Sequence, residues 1–148
     1  MLALLAVSGD AIGADTTPAE PAVDAGASAY ALPAEVLDAI WEWISFGDGK
    51  EQFDVDKPEQ YTVQFSADGM VAIQADCNRG RAEFTMGPDQ QISFSPIGVT
   101  MMLCPDGSLD SRFLDALDRV RIYSQFEGDL LLEAPLDSGT LRFRRKAD

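Results

Sequence analysis

The chain has 148 residues and a formal net charge of −14, from 25 acidic and 11 basic side chains, and it contains no histidine. Its length and its hydrophobic share of 46% are those of one globular domain with a core. The negative charge repels phosphate backbones and argues against a nucleic-acid partner, while the lack of histidine excludes Ser-His-Asp and Cys-His catalysis and the usual zinc ligand sets.

The first 14 residues resemble the end of a secretory signal peptide. Residues 1–7 are apolar, small residues follow them, and a cleavage site is predicted near Ala14. The basic stretch that usually opens a signal is not in the sequence, so either the true start lies upstream or the segment is not a signal. On this pattern we expect export, to the periplasm or another part of the envelope. The chain has no run of 18 apolar residues, so no transmembrane helix is expected.

Residues 15–32 are predicted to be a flexible tether, and residues 33–146 a folded domain. The tether is rich in Ala, Pro, Thr and Asp, and it offers too little apolar surface to offset the entropy of ordering. The composition changes at Pro33, and residues 33–38 suit one helical turn that begins with this proline.

Strand patterns dominate the domain. Residues 61–65 alternate between bulky and polar side chains, and Asp68-Gly69 then predicts a two-residue hairpin turn. The next strand is predicted to place four side chains on its core face: Val71, Ile73, Ala75 and Cys77. The segment Asn78–Gly80 is predicted to form a tight turn after it, because Asn tolerates and Gly favours left-handed backbone.

A single main helix is predicted over residues 108–120. Ser108 is a suitable N-cap. One apolar stripe follows it at helical spacing: Leu109, Phe113, Leu117 and Val120. Further strands are predicted near residues 82–86, 92–94, 121–127, 129–134 and 140–145. Tight turns cannot join parallel strands, so we expect a mainly β protein whose strongly curved antiparallel sheet is plugged by one helix.

Two short segments contain the only cysteines of the chain: Cys77-Asn78-Arg79-Gly80 and Thr100-Met101-Met102-Leu103-Cys104-Pro105. Together with the Trp41-Glu42-Trp43 strand before them and the helix and strands after them, their order and spacing resemble the META domain family of HslJ-like heat-shock proteins. The resemblance covers roughly residues 36–145. It implies a cracked-barrel fold and an envelope role linked to stress tolerance. Asp76 and Ala82 depart from the pattern, since glycine is usual at or near each position.

The two cysteines have three interpretations. In an oxidising compartment a disulfide is favoured, and closing a loop across 27 positions contributes about 3–4 kcal/mol in the chain-entropy model. Such a bond would pin the entry to the helix to the strand that ends at Cys77. The alternatives are two buried free thiols that act as small apolar side chains, and a redox-active or metal-binding pair beside the cation of Arg79.

Four other side chains are candidates for an apolar ligand pocket: Trp41, Trp43, Met101 and Met102. A core role is the favoured interpretation for each of them. Asn78 and Thr100 are predicted to bond the backbone of turns. Asp54 and Asp56 have the spacing of calcium ligands, but the glycine and glutamate of a calcium loop do not follow them. The basic residues near the C-terminus are predicted to be the exposed face of the last strand rather than an anion-binding patch: Arg142, Arg144, Arg145 and Lys146.

These observations predict a non-enzymatic, exported domain of the bacterial envelope that is related to stress and acts through contacts with an envelope protein or a ligand. No cofactor, catalytic residue or metal ligand is predicted. One alternative is a carrier or sensor of a small apolar ligand held in the open barrel. Another is a carboxylate-based hydrolase, which needs two converging carboxylates, one of them with a raised pKa.

Overall fold

Ten β-strands and one α-helix make up the part of the chain that the computed structural model describes, residues 31–147. The strands are β1 (Ile40–Gly47), β2 (Gln52–Asp54), β3 (Tyr61–Phe65), β4 (Met70–Ala75), β5 (Asn78–Met86), β6 (Ile92–Phe94), β7 (Gly98–Val99), β8 (Ile122–Phe126), β9 (Asp129–Glu133) and β10 (Thr140–Arg145). Helix α1 spans Asp110–Asp118, and short 3-10 turns lie at Pro58–Gln60 and Pro135–Asp137. The predicted signal segment and nearly all of the predicted tether lie outside the described residues.

The strands form an antiparallel sheet that bends almost into a closed barrel. Along the sheet the order is β6-β5-β4-β3-β1-β10-β9-β8, with the short β2 beside β1 and β7 beside β5. The two ends of this path meet, because Ile92 N–H donates to Arg121 O over 2.9 Å and Tyr123 N–H donates to Gln90 O over 3.0 Å. The predicted fold class, a mainly β protein with a strongly curved antiparallel sheet and one helix, is confirmed.

Helix α1 plugs the barrel with the predicted apolar stripe. Phe113, Leu117 and the following Val120 are fully buried, and the Phe113 ring stacks on Trp43 with ring centroids 4.8 Å apart. A helix this short is marginal on its own, so the burial of the stripe stabilises it. The helix is shorter than predicted, and the predicted N-cap Ser108 is wrong, because Leu109 is the N-cap and makes no side-chain capping bond. Ser108 lies one position before the cap, where its Oγ accepts a hydrogen bond from Asp110 N–H at 3.1 Å. No helix within residues 31–147 is long and apolar enough to cross a membrane.

The core begins slightly earlier than the predicted domain boundary. Leu32, the last residue of the predicted tether, is buried. The predicted helical turn follows it, with Val36 N–H donating to Pro33 O over 2.9 Å. Val36 O in turn accepts a hydrogen bond from Trp41 Nε1 at 3.0 Å, which fastens this turn to β1.

The hairpin between β3 and β4 has a three-residue loop, so the predicted two-residue turn is wrong. Ser66 N–H donates to Met70 O over 2.9 Å, and Gly69 N–H donates to Ser66 O over 3.1 Å. Gly69 has a φ of 88°, whereas Asp68 is not left-handed and instead accepts a hydrogen bond from Met70 N–H on its carboxylate at 3.2 Å. A turn followed by one left-handed glycine is a standard three-residue connection.

The turn predicted at Asn78–Gly80 is also wrong, since these residues begin β5. Ala75 at the end of β4 pairs with Asn78, so the two-residue turn is Asp76-Cys77. Asp76 supplies the left-handed backbone, with a φ of 58°, and glycine adopts that conformation without steric cost. Cys77 therefore lies half-buried in the turn and not on the core face of the strand.

Candidate functional site: an apolar loop held by a disulfide and a buried asparagine

A disulfide joins the β4–β5 turn to the irregular segment that precedes α1. Cys77 and Cys104 are bonded, with their Cα atoms 5.5 Å apart, so neither is a free thiol. The bond fastens residues 100–105, which lead into α1, and Cys104 itself lies before the helix begins at Asp110. The guanidinium of Arg79 donates to Asp76 O at 3.4 Å and has no thiol to activate.

Asn78 is the side chain that holds this segment in place. It is only 3% exposed. Its Oδ1 accepts hydrogen bonds from Met102 N–H at 2.7 Å and from the Thr100 hydroxyl at 2.9 Å, and its Nδ2 donates to Met102 O at 3.0 Å. Nδ2 also donates to Asp110 Oδ2 at 3.3 Å, which links the segment to α1. An amide offers a donor and an acceptor together, so it satisfies both backbone groups of Met102 at once.

Thr100 and Gly80 bring the same segment against β5. Thr100 Oγ1 accepts a hydrogen bond from Arg79 N–H at 3.0 Å, and Thr100 N–H donates to Arg79 O over the same distance. Gly80 pairs with Val99, and a Cβ atom on Gly80 would lie only 2.9 Å from Gly98 O. Gly80 therefore permits the close approach of β7, instead of supplying the left-handed turn that its sequence context predicts.

Three consecutive side chains project from this segment into solvent, and we call them the apolar loop. Met101 is 88% exposed, Met102 is 61% exposed and Leu103 is 98% exposed. The core role predicted for Met101 and Met102 is wrong, because the backbone of Met102 is bonded to Asn78 and leaves these side chains outside the barrel. Contiguous exposed apolar side chains on a folded protein mark an interaction site more often than isolated ones do.

Two clefts lie along the stretch of chain that carries the apolar loop and leads into α1. One, of about 440 Å³, lies between the loop and α1, with Ser111 and Leu114 on its helix side. The other, of about 380 Å³, is lined by four carboxylates: Asp54, Asp56, Asp76 and Asp106. None of the four forms an ion pair within the described residues, and Lys57 is the cation that lines this cleft with them. The second cleft therefore carries a net negative charge.

Trp41 and Trp43 belong to the core, as predicted. Both are about 1% exposed. The Trp43 ring is surrounded by the rings of Phe53, Tyr61 and Phe113, with centroids at 5.9, 5.7 and 4.8 Å. Its Nε1 has no hydrogen-bond partner among the described residues. Aromatic side chains thus fill the barrel interior around Trp43, where an apolar ligand would have to lie.

The basic residues of β10 are partly neutralised by acidic neighbours on the sheet. Arg142 Nε pairs with Asp129 Oδ2 at 2.7 Å, and Arg144 Nε pairs with Glu42 Oε1 at 3.1 Å. This placement agrees with the prediction of a strand face rather than an open anion-binding patch. Within residues 31–147, no three potential metal-ligating side chains are grouped so that they could hold a metal ion. Asp54 therefore belongs to no such group.

Asp48, in the turn between β1 and β2, has a pKa held below its ordinary value of 3.8. The backbone N–H groups of Glu51 and Lys50 donate to Asp48 Oδ1, each over 2.9 Å, and stabilise the charged form. A catalytic acid needs the opposite shift, so Asp48 does not support the hydrolase alternative.

Fold and site together define a small antiparallel barrel, plugged by a helix and crosslinked by one disulfide, that presents an apolar loop. The chain belongs to the META domain family, whose model matches residues 34–148. The family resemblance of the two cysteine segments is thereby confirmed.

Two solved structures are similar in fold. A protein from Burkholderia xenovorans, determined by NMR, is 20% identical with a TM-score of 0.63, over 94% of this chain and 97% of that one. A DUF4847 family protein from Bacteroides vulgatus ATCC 8482 is 15% identical with a TM-score of 0.56, over 76% of this chain and 96% of that one. At these identities the likeness concerns the fold alone. No curated protein matches the chain.

The sequence motifs include the residues that hold the segment, but they do not indicate that its apolar side chains are exposed. Leu103 and Asp106 are not singled out by any motif, and the calcium-ligand spacing of Asp54 and Asp56 does not indicate the cleft that they line. The available signal was three consecutive bulky apolar residues, 101–103, without the polar alternation of a strand or the spacing of a helix stripe.

Proposed function

We propose that this protein is a non-enzymatic domain of the bacterial envelope, related to stress tolerance, that acts by binding another protein through the apolar loop. The exposure of Met101, Met102 and Leu103 on a bonded segment carries the proposal. Methionine is enriched at the centres of protein interfaces, and its adaptable side chain fills irregular pockets. A segment already held by Asn78 and a disulfide loses little further conformational entropy on binding.

The partner that fits this surface has an apolar pocket with Lys or Arg side chains at its rim. The four carboxylates line the cleft that residues 105–109, the stretch just after the loop, help to form, and they have no ion-pair partner within the described residues. Complementary charges speed association and select partners, so binding should weaken as the salt concentration rises. The net charge of −14 disfavours anionic membranes and nucleic acids as competitors.

Export is supported by the signal-like residues 1–14 and by the disulfide, since disulfides persist in oxidising compartments. Cell fractionation followed by mass spectrometry of the N-terminus tests it. We expect the protein outside the cytoplasm, shortened near Ala14. An intact N-terminus in the cytoplasmic fraction would contradict export.

A photo-reactive amino acid in place of Leu103 tests the binding surface. The matched control carries it in place of Leu136, which is 97% exposed but lies in the β9–β10 turn. We expect a discrete crosslinked protein from position 103 and none from position 136. The purified partner should then bind the Leu103→Ser variant about tenfold more weakly than the wild type, as for a hot-spot side chain, and bind Leu136→Ser equally well.

Two results of this experiment would overturn the proposed function. One is equal crosslinking from both positions, which would indicate non-specific contact. The other is the absence of any protein product from position 103. If the crosslinked product contained a second copy of this chain, the loop would mediate self-association instead of binding an envelope partner. Sedimentation would measure that self-association directly.

A further inference from the structure

Oxidisable sulfur is distributed unevenly over the described residues. Met101 and Met102 lie in the apolar loop, 88% and 61% exposed, whereas Met70 and Met86 are only partly exposed in strands. Both cysteines of the chain are already joined in the disulfide. Among residues 31–147, the thioethers of the loop are therefore the sulfur atoms most open to an oxidant in solution.

We propose that Met101 and Met102 form a reversible oxidation site for peroxide-class or hypochlorous oxidants, and that their oxidation switches off the apolar loop. A lone pair of the thioether sulfur attacks one oxygen of hydrogen peroxide, an S–O bond forms, the O–O bond breaks and water leaves. The sulfur loses two electrons and the peroxide is reduced. A reductase that draws on two thiols reverses the step, releasing water and leaving the thiols as a disulfide.

The consequence of this reaction is a change of polarity without a change of fold. Methionine sulfoxide is polar, so two oxidised side chains leave Leu103 as the only apolar member of the loop. Asn78 bonds the N–H and C=O groups of Met102 at 2.7 and 3.0 Å, and these backbone bonds do not involve sulfur. The segment should keep its position, and the switching role rests on the proposed binding function of the loop.

Peptide mass spectrometry of the purified full chain treated with hydrogen peroxide tests the site itself. Met101 and Met102 should be oxidised about tenfold faster than Met70 and Met86, in keeping with their exposure. The melting temperature should stay unchanged when only the loop is oxidised. Equal oxidation rates at Met70 or Met86, or a clear fall in melting temperature at that stage, would overturn the proposal.

Retention on an octyl matrix measures the change of polarity without any partner. Wild-type retention should fall after peroxide treatment and return after treatment with methionine sulfoxide reductase. The double variant Met101→Leu/Met102→Leu, whatever its starting retention, should show no change on treatment. The matched variant Met70→Leu/Met86→Leu should respond like the wild type. Unchanged wild-type retention with both loop sulfoxides present would overturn the proposal.

Crosslinking from position 103 separates this inference from the proposed function. Oxidised protein should give a several-fold lower yield of the partner product than untreated protein. If both give the same yield, the switch is wrong and the binding function stands. If untreated protein gives no product, the binding function and the switch fail together, while the mass-spectrometric ranking still reports on the oxidation site.

Discussion

The amide of Asn78 satisfies the N–H and the C=O of Met102 together, and this limits which side chains can replace it. Asn78→Ala leaves Met102 N–H and the Thr100 hydroxyl without their acceptor in a part-buried place. Unpaired buried polar groups of this kind cost about 1–3 kcal/mol each. We expect the variant to lose about 2–3 kcal/mol of unfolding free energy, measured by urea denaturation with the disulfide intact.

Two further variants control this prediction. Asn78→Asp keeps an acceptor for Met102 N–H, but it loses the donor to Met102 O and adds a charge beside Asp110, so it should also be destabilised. Thr85→Ala removes only an exposed hydrogen bond to Ser93 and should change stability by less than about 0.5 kcal/mol. A loss as small as this for Asn78→Ala would contradict the anchoring role.

Leu136 combines a left-handed backbone, with a φ of 59°, and a side chain that is 97% exposed. Left-handed backbone costs a residue with a branched apolar side chain about 1–2 kcal/mol, and asparagine less. Because no burial is lost, Leu136→Asn should raise the unfolding free energy by about 0.5–1 kcal/mol. Leu136→Val should lower it, since β-branching suits this conformation less. Thermal unfolding measures both, and equal shifts of the two variants would speak against backbone strain.

At the scale of elements, the disulfide fastens an irregular segment to a hairpin turn. Removing it with Cys77→Ser/Cys104→Ser frees a loop of 27 positions in the unfolded chain. The expected loss is about 3–4 kcal/mol, measured by urea denaturation. Reducing agent should lower the stability of the wild type toward that of the variant and leave the variant unaffected. A variant as stable as the oxidised wild type would show that hydrogen bonds alone hold the segment.

The strands and the helix could be predicted from sequence because their apolar spacing is local. Tyr61–Phe65 alternates as a strand with one buried face, and Phe113 and Leu117 mark the buried stripe of α1. The β4–β5 turn could not be placed, because Asp76 and Asn78 both tolerate left-handed backbone and the apolar alternation continues to position 77. The two possible turns differ by two residues. Which of them forms is decided by the hydrogen-bond partners of Asn78, which are distant from it in sequence.

The site was harder to predict than the fold for a related reason. Apolar residues are buried by default, so a core role for Met101 and Met102 was the better expectation from sequence alone. Their exposure follows from hydrogen bonds between Asn78 and Met102, which are 24 positions apart. Periodicity within either segment carries no information on that contact.

At the scale of the whole molecule, closure of the barrel depends on the same kind of distant contact. The edge strand β6 meets β8, the strand at the other end of the sheet, through two backbone hydrogen bonds. Ile92 N–H donates to Arg121 O, and Tyr123 N–H donates to Gln90 O. Turn lengths predict antiparallel neighbours, but they do not say which two edges meet. Side chains of the helix and the two tryptophans fill the interior of the barrel. The apolar loop lies outside this packing, so its side chains are free to contact another molecule.

The buried core extends toward the N-terminus as far as Leu32, and shortened chains test this limit. A chain that begins at Tyr30 should melt within about 1 °C of one that begins at Asp15, because the Ala- and Pro-rich residues between them offer little apolar area. A chain that begins at Ile40 loses the buried Leu32 and Val36, and with Val36 the acceptor of the Trp41 Nε1 hydrogen bond. Its melting temperature should fall by roughly 10 °C or more. Calorimetry of the three chains distinguishes these outcomes. A large drop in the melting temperature of the chain that begins at Tyr30 would place part of the core before that residue. An unchanged melting temperature of the chain that begins at Ile40 would show that the turn at residues 33–38 does not contribute to the folded unit.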